Sequence, residues 1–129
     1  MRVVIQRVSE AAVHISGECV AEITHGFQLL LGIETEDDAS DADYLIQKIS
    51  QMRVFSDADG KMNLNIQEVN GSILVVSQFT LHASTKKGNR PSFIRAARPE
   101  QAIPLYEYFL HQLQTMFPVK SLAENLVQI

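Results

Sequence analysis

The chain has 129 residues, 46% of them hydrophobic and 20% charged, which fits one soluble domain around a single core and excludes a large multidomain machine. Its longest apolar runs, Leu29-Leu30-Leu31 and Ile73-Leu74-Val75-Val76, are too short to cross a bilayer, and Gln6-Arg7 interrupts Met1–Ile5 before a signal-peptide core can form. Cys19 is the single cysteine, so no internal disulfide framework is possible and a reducing, cytoplasmic setting is expected.

The formal net charge of −4 argues against nonspecific binding to nucleic acid, but the distribution is uneven. Lys86, Lys87, Arg90, Arg95 and Arg98 place five of the eleven basic residues within thirteen positions, and no acidic residue lies between Glu68 and Glu100. Such a segment can meet phosphates, or it can be a solvated loop; composition leaves both open.

Along the chain, Val3 to Ile15 alternates with period two and reads as β-structure. Ser16-Gly17-Glu18 is a turn leading into Val20–Ile23, hence a hairpin. Phe27 to Ile33 is a continuous apolar run expected to be buried on both faces. Asp37, Asp38 or Ser40 is placed to cap a helix whose inner face is Ala42, Leu45, Ile46, Ile49 and Met52. Arg53-Val54-Phe55 resumes an extended pattern, and Ser56–Lys61 is a turn. Asp57, Asp59 and Glu68 fall at calcium-loop positions, but Lys61 and Met62 spoil the charge and the required glycine, so a hairpin is expected. Ser72 to Leu81 reads as a strand that starts apolar and ends polar. Ala102, Leu105, Tyr106, Phe109, Leu113 and Met116 form a second helical face, with Pro99 or Pro104 in the first turn. Leu126–Ile129 looks like the start of another strand. This order predicts an α/β (α+β-like) fold of layered β-sheets closing toward a barrel, with two helices packed on one side.

His14, His25, His82 and His111 are scattered without ligand spacing, so no metal site is expected, nor any cofactor. Thr80 and His82 share a strand face, which permits a dyad but also arises by chance. The stronger local signal is Ser77-Gln78-Phe79-Thr80, where three hydrogen-bonding side chains and an aromatic ring follow four core residues. Phe79 can stack on a base, and Gln78 or a backbone N–H can hold a carbonyl or phosphate. The same residues also suit a strand simply leaving a core.

Gln6-Arg7-Val8, Phe55-Ser56-Asp57, Gly60-Lys61-Met62-Asn63-Leu64, Ser77-Gln78-Phe79-Thr80-Leu81, Arg90-Pro91-Ser92-Phe93 and Leu105-Tyr106, in this order and spacing, resemble the D-aminoacyl-tRNA deacylase family. The resemblance spans the whole chain as one domain, residues 1–129. It implies a homodimer with its sites at the subunit interface. The implied reaction is hydrolysis of the ester joining a D-amino acid, or glycine mischarged on tRNA-Ala, to the terminal adenosine of tRNA. By this resemblance Ser77, Gln78, Phe79 and Thr80 line the aminoacyl-adenosine pocket, with either the substrate 2′-hydroxyl or Thr80 driving the reaction. Arg7, Phe79, Lys86, Lys87, Arg90, Pro91, Ser92 and Phe93 are the residues it suggests for substrate binding.

The family also carries a Gly-Pro dipeptide near its C-terminus that enforces chirality, and Arg7 matches a position supporting it. This sequence contains no Gly-Pro and stops at Ile129, where the family continues into its last strands. A shortened form, impaired or acting only as a tRNA-binding module, is therefore the alternative expectation. A basic RNA-binding module without chemistry and a synthetase-attached editing domain are the other rivals. The sister family that corrects L-alanine carries Pro-Gln-Ala-Thr where this chain has Ser77–Thr80.

Overall fold

The computed structural model describes residues 1–77 and 97–122. In chain order the elements are β1 (Arg2–Val8), β2 (Ala11–Ile15), β3 (Glu18–Ile23), β4 (Gly26–Gly32), α1 (Ala39–Gln51), β5 (Phe55–Ser56), β6 (Met62–Leu64), β7 (Ser72–Ser77), α2 (Pro99–Gln114) and β8 (Val119–Leu122). No helix among them is long and apolar enough to cross a membrane.

The main sheet has the order β1-β4-β7-β8. β1 runs antiparallel to β4, whereas β4–β7 and β7–β8 are parallel, each parallel step being bridged by a helix on the same face. On that face Phe27, Leu29 and Leu31 of β4 and Ile73 and Val75 of β7 meet Ala42, Ile46 and Ile49 of α1 and Phe109 and Leu113 of α2. The two-helix layer expected from periodicity is therefore present, with both apolar helix stripes turned onto one sheet face.

The described strands do not close into the barrel that the strand count suggested. β1 and β8 are both edges, and the β2–β3 hairpin pairs with itself instead of joining them. The hairpin lies across the second sheet face, where Ala21 and Ile23 pack on Leu74 and Leu122. That cover reaches β7 and β8 but not all of β4. Gln28 and Leu30 are accordingly only half-buried, so β4 is not sealed on both faces, whereas β7 is.

Local chemistry explains the element ends. Ser16 and Gly17 both adopt positive φ, 52° and 79°, as a two-residue hairpin turn requires. Asp38 is the cap of α1: its carboxylate accepts from Ser40 N–H at 2.9 Å, while Asp41 accepts from Asp38 N–H at 2.9 Å. Asp37, the rival cap, instead accepts from the Met1 ammonium at 2.6 Å and from Glu34 N–H at 2.7 Å. Asp57 receives Asp59 N–H and Lys61 N–H at 2.9 and 3.0 Å, so its carboxylate closes the β5–β6 turn.

Pro99 occupies the first position of α2, and Pro104 sits inside the helix on its exposed side. The helix ends at Gln114, two residues before the last position of the expected apolar face. Met116 is consequently exposed, and Phe117 enters the core in its place. β8 was not anticipated, because Val-Lys-Ser-Leu is too short to show a period. The strand start anticipated at Leu126–Ile129 lies outside the described residues.

The cap makes a pH prediction. Hydrogen bonds from the Ser40 side chain and N–H are the main cause holding the Asp38 carboxyl below its ordinary 3.8. A depressed carboxylate contributes stability that is complete above the unfolded value and lost as pH falls through the folded one. Asp38→Asn should therefore melt less steeply with acidification than the parent below about pH 4. Parallel slopes in thermal melts from pH 6 to 2 would contradict this assignment of the cap.

Candidate active site

β7 delivers its C-terminal residue, Ser77, to one end of the main sheet. Ile73, Leu74 and Val75 are fully buried and Val76 nearly so, while Ser77 is half-buried. The strand thus carries its polar end out of the core at a fixed point. In the register Ser77 lies opposite Leu31 of β4, and Leu31 lies opposite Val3 of β1.

The chain rejoins the described body at the same end, where Ala97 N–H donates to Ile33 O at 2.8 Å. Gln101 adds a side-chain bond to Thr35 O at 2.6 Å. Ser77 and Ala97, the described residues on either side of 78–96, therefore both lie beside the carboxyl ends of β4 and β7, the usual place for ligands in sheets of this kind. Gln78, Phe79, Thr80, Lys86, Lys87, Arg90, Pro91, Ser92 and Phe93 belong to 78–96 and lie outside the described residues, as do His82 and Arg95.

Arg7 stands elsewhere. It lies opposite Phe27, which in turn lies opposite Ile73. Phe27 and Leu31 are four residues apart on β4, so Arg7 and Ser77 are separated by ~13 Å along the strands, besides two inter-strand spacings. The Arg7 guanidinium donates to Val54 O. It borders an open hollow of about 240 Å³ with Ile5, Phe27, Met52, Val54 and Met62. The Phe27 ring meets that of Phe55 with centroids 5.2 Å apart and planes tilted by 37°. Met62, 64% exposed, stands at the hollow's rim. Its role there was invisible in the sequence, because the hollow joins β1, β4 and the segment after α1.

Tyr106 was placed on the apolar face of the second helix and in the Leu105-Tyr106 pair of the resemblance, but the part its hydroxyl plays was not anticipated. It is buried on α2, and its hydroxyl donates to Leu122 O at 2.8 Å while lying 3.3 Å from Val75 O. Burial pushes its ionisation far above the ordinary tyrosine range, against the smaller opposing effect of the Leu122 bond. The hydroxyl is therefore a donor at any working pH. Of the histidines, His25 lies with Nε2 at 2.6 Å from Val69 O, and the exposed His14 and His111 are on β2 and α2.

Known proteins share both the sequence and this frame. A family profile described as D-Tyr-tRNA(Tyr) deacylase matches residues 4–124. The chain is 64% identical to a D-aminoacyl-tRNA deacylase of Akkermansia muciniphila over 116 residues, 90% of this chain and 77% of that one. It is 62% identical to the enzyme of the same name from Phocaeicola vulgatus, covering 88% of this chain and 75% of that one. Among solved structures, one described as c-Myc DNA Unwinding Element Binding Protein superposes with a TM-score of 0.88 at 38% identity, over 94% of this chain and 83% of that one. A probable eukaryotic D-amino acid tRNA deacylase gives a TM-score of 0.73 at 15% identity, over 88% and 67%, a likeness of fold alone. With profile, identity and frame in agreement, the chain belongs to the D-Tyr-tRNA(Tyr) deacylase family.

Proposed function

We propose that this chain hydrolyses the ester bond of D-aminoacyl-tRNA, releasing a free D-amino acid and tRNA. One observation carries the reading: in a member of this family, the first residue of Ser77-Gln78-Phe79-Thr80 stands at the carboxyl end of a buried parallel strand. A rigid strand there gives the segment after it a fixed origin, which positioning chemistry needs.

An aminoacyl ester is already activated, so water attack on its carbonyl needs orientation and a stabilised oxyanion more than a strong base. Hydrolysis adds water across the acyl C–O bond, and the departing ribose oxygen takes up a proton. One well-placed donor supplies about 3 kcal/mol, roughly a hundredfold in rate. Backbone N–H groups near Phe79 and Thr80 are the proposed donors, Phe79 the stacking surface for the terminal adenine, and the substrate 2′-hydroxyl the proton carrier. Lys86, Lys87, Arg90, Pro91, Ser92 and Phe93 are proposed to hold the tRNA end, in keeping with the run of positive charge. No metal or cofactor is invoked.

On this reading Thr80→Ala keeps kcat/KM within about tenfold, whereas loss of a nucleophile or general base costs about a hundredfold or more. A fall of about a thousandfold with the melting temperature unchanged would make Thr80 the nucleophile instead.

The same proposal includes a homodimer, glycine as a second acyl group and a cytoplasmic setting. The distance between Arg7 and Ser77 within one protomer favours a site built from two copies. A two-fold axis can bring Arg7 of the partner subunit to the Ser77 end. Comparing tRNA charged with D-Tyr, Gly and L-Tyr tests the function: D-Tyr and Gly esters should be cleaved. An intact chain of confirmed mass that binds tRNA in a salt-dependent way yet leaves D-Tyr-tRNA uncleaved would favour the binding-module reading.

A further inference from the structure

Two parallel strands, β7 and β8, end side by side in the main sheet, and one side-chain hydroxyl reaches a backbone carbonyl of each. Val76 and Leu122 are the last residues paired between them, and β7 runs one residue further to Ser77. The Tyr106 hydroxyl donates to Leu122 O at 2.8 Å and is within 3.3 Å of Val75 O, two residues before Ser77. It reaches both from α2, the helix that begins just after Ala97 returns to Ile33.

We infer that Tyr106 is a positioning residue for deacylation, its hydroxyl fixing how Ser77 and Leu122, the last residues of β7 and β8, stand relative to each other and to α2. The inference rests on the deacylase reading above and names a residue of that same site's support.

The chemistry favours more than packing. A phenylalanine would fill this core position without bringing a hydroxyl into it, and burial of an unshared hydroxyl is costly. The hydroxyl is satisfied by carbonyls on two different strands, so it constrains their relative height and not merely one of them. Neighbouring strands otherwise rotate about each other by roughly 20° with considerable scatter, which at a strand end moves the following residue by more than an ångström. A misplacement of that size in an active site reduces turnover by up to about a hundredfold.

The test compares Tyr106→Phe with Phe109→Leu, which loosens the same core while leaving the hydroxyl in place. Both are assayed on D-Tyr-tRNA below their melting temperatures. Tyr106→Phe should lower kcat about tenfold with KM within about twofold, since only the arrangement of reacting groups changes. Phe109→Leu should melt lower than Tyr106→Phe yet keep kcat within about twofold of the parent, because it softens the core while leaving the hydroxyl and its two carbonyl contacts in place. Equal kcat in Tyr106→Phe and the parent overturns the proposal, as does an equal fall in both variants. 4-Aminophenylalanine at position 106, a weaker donor of the same shape, should give an intermediate kcat. Should Tyr106→Phe fail to fold, parental kcat in this variant overturns the proposal. A parent chain without activity overturns the deacylase reading and this inference together, whereas an active parent unaffected by the substitutions overturns this inference alone.

Discussion

Gly26→Ala should leave no folded protein at 25 °C, or lower its unfolding free energy by at least about 4 kcal/mol. Gly26 opens β4 with φ at 151°, in the region that L side chains avoid. A Cβ there would lie 1.8 Å from Ser72 O, 2.7 Å from Ser72 N and 2.8 Å from Ser72 C. These are backbone atoms, so no rotamer change relieves the clash. Nor is Ser72 free to move: its N–H donates to His25 O at 3.0 Å, and it pairs with Gly26 at the start of the β4–β7 ladder. Gly71, on the other side, lies against Ile66, where an added Cβ would meet Cγ1 at 2.6 Å. Separating β4 from β7 would open the centre of the core, and a domain of this size has only about 5–15 kcal/mol in total. Gly17→Ala is the control. Nothing lies within 4 Å of its Cβ position, so only the strain of positive φ is incurred, about 1 kcal/mol. Urea titration should separate the two clearly. A Gly26→Ala protein within about 1 kcal/mol of the parent would mean that β4 and β7 are not apposed as described.

The contrast between these glycines marks what a sequence can disclose. Gly17 is legible, because Ser-Gly between two alternating runs is a local turn signal. Gly26 is not, since its constraint comes from Ser72, across the β4–β7 crossover. The same division runs through the fold. Asp38, Ala42, Ile46 and Ile49 announce α1 through spacing and capping, and Ile73–Val76 announces the buried β7. That the described strands leave the sheet open was not legible, because local alternation says which faces are apolar but not which edges meet. The half-cover of Leu30 follows from where the β2–β3 hairpin lands, which its own residues do not encode locally.

The site divides likewise. Ser77 is found where an apolar run turns polar, and the family resemblance supplied Arg7. The hollow beside Arg7 draws on Ile5, Phe27, Met52, Val54 and Met62, residues scattered over three segments. The Tyr106 hydroxyl looked like one more member of an apolar stripe. Its two carbonyl neighbours, Val75 and Leu122, lie 31 and 16 positions away in sequence. Side-chain identity at one position carries no trace of a backbone acceptor so distant.

Mixing two impaired variants should yield more activity than either has alone. On the proposed two-copy site, Arg7→Ala and Phe79→Ala are each expected to lower kcat/KM by roughly thirty- to a hundredfold, the first by removing the guanidinium proposed to face the site, the second by removing the proposed base-stacking ring. Arg7 and Ser77 are at opposite ends of the strands of one protomer, ~13 Å apart along them. A site that uses both is therefore best made across a two-fold interface, with Arg7 of the partner subunit facing the Ser77–Thr80 segment of the first. After subunit exchange at equal amounts, about half the dimers are mixed. In each mixed dimer one site then has both residues intact and the other has neither. About a quarter of all sites should thus regain full function, a severalfold rise over either parent that appears only after exchange. If instead each protomer supplied both residues to its own site, every site in a mixed dimer would carry one lesion and no gain would follow. A mixture of confirmed exchange that stays at the parental level would therefore exclude the shared site, while D-Tyr-tRNA hydrolysis by the unmodified chain would stand untouched. The experiment separates who does the chemistry from how many copies are needed to do it.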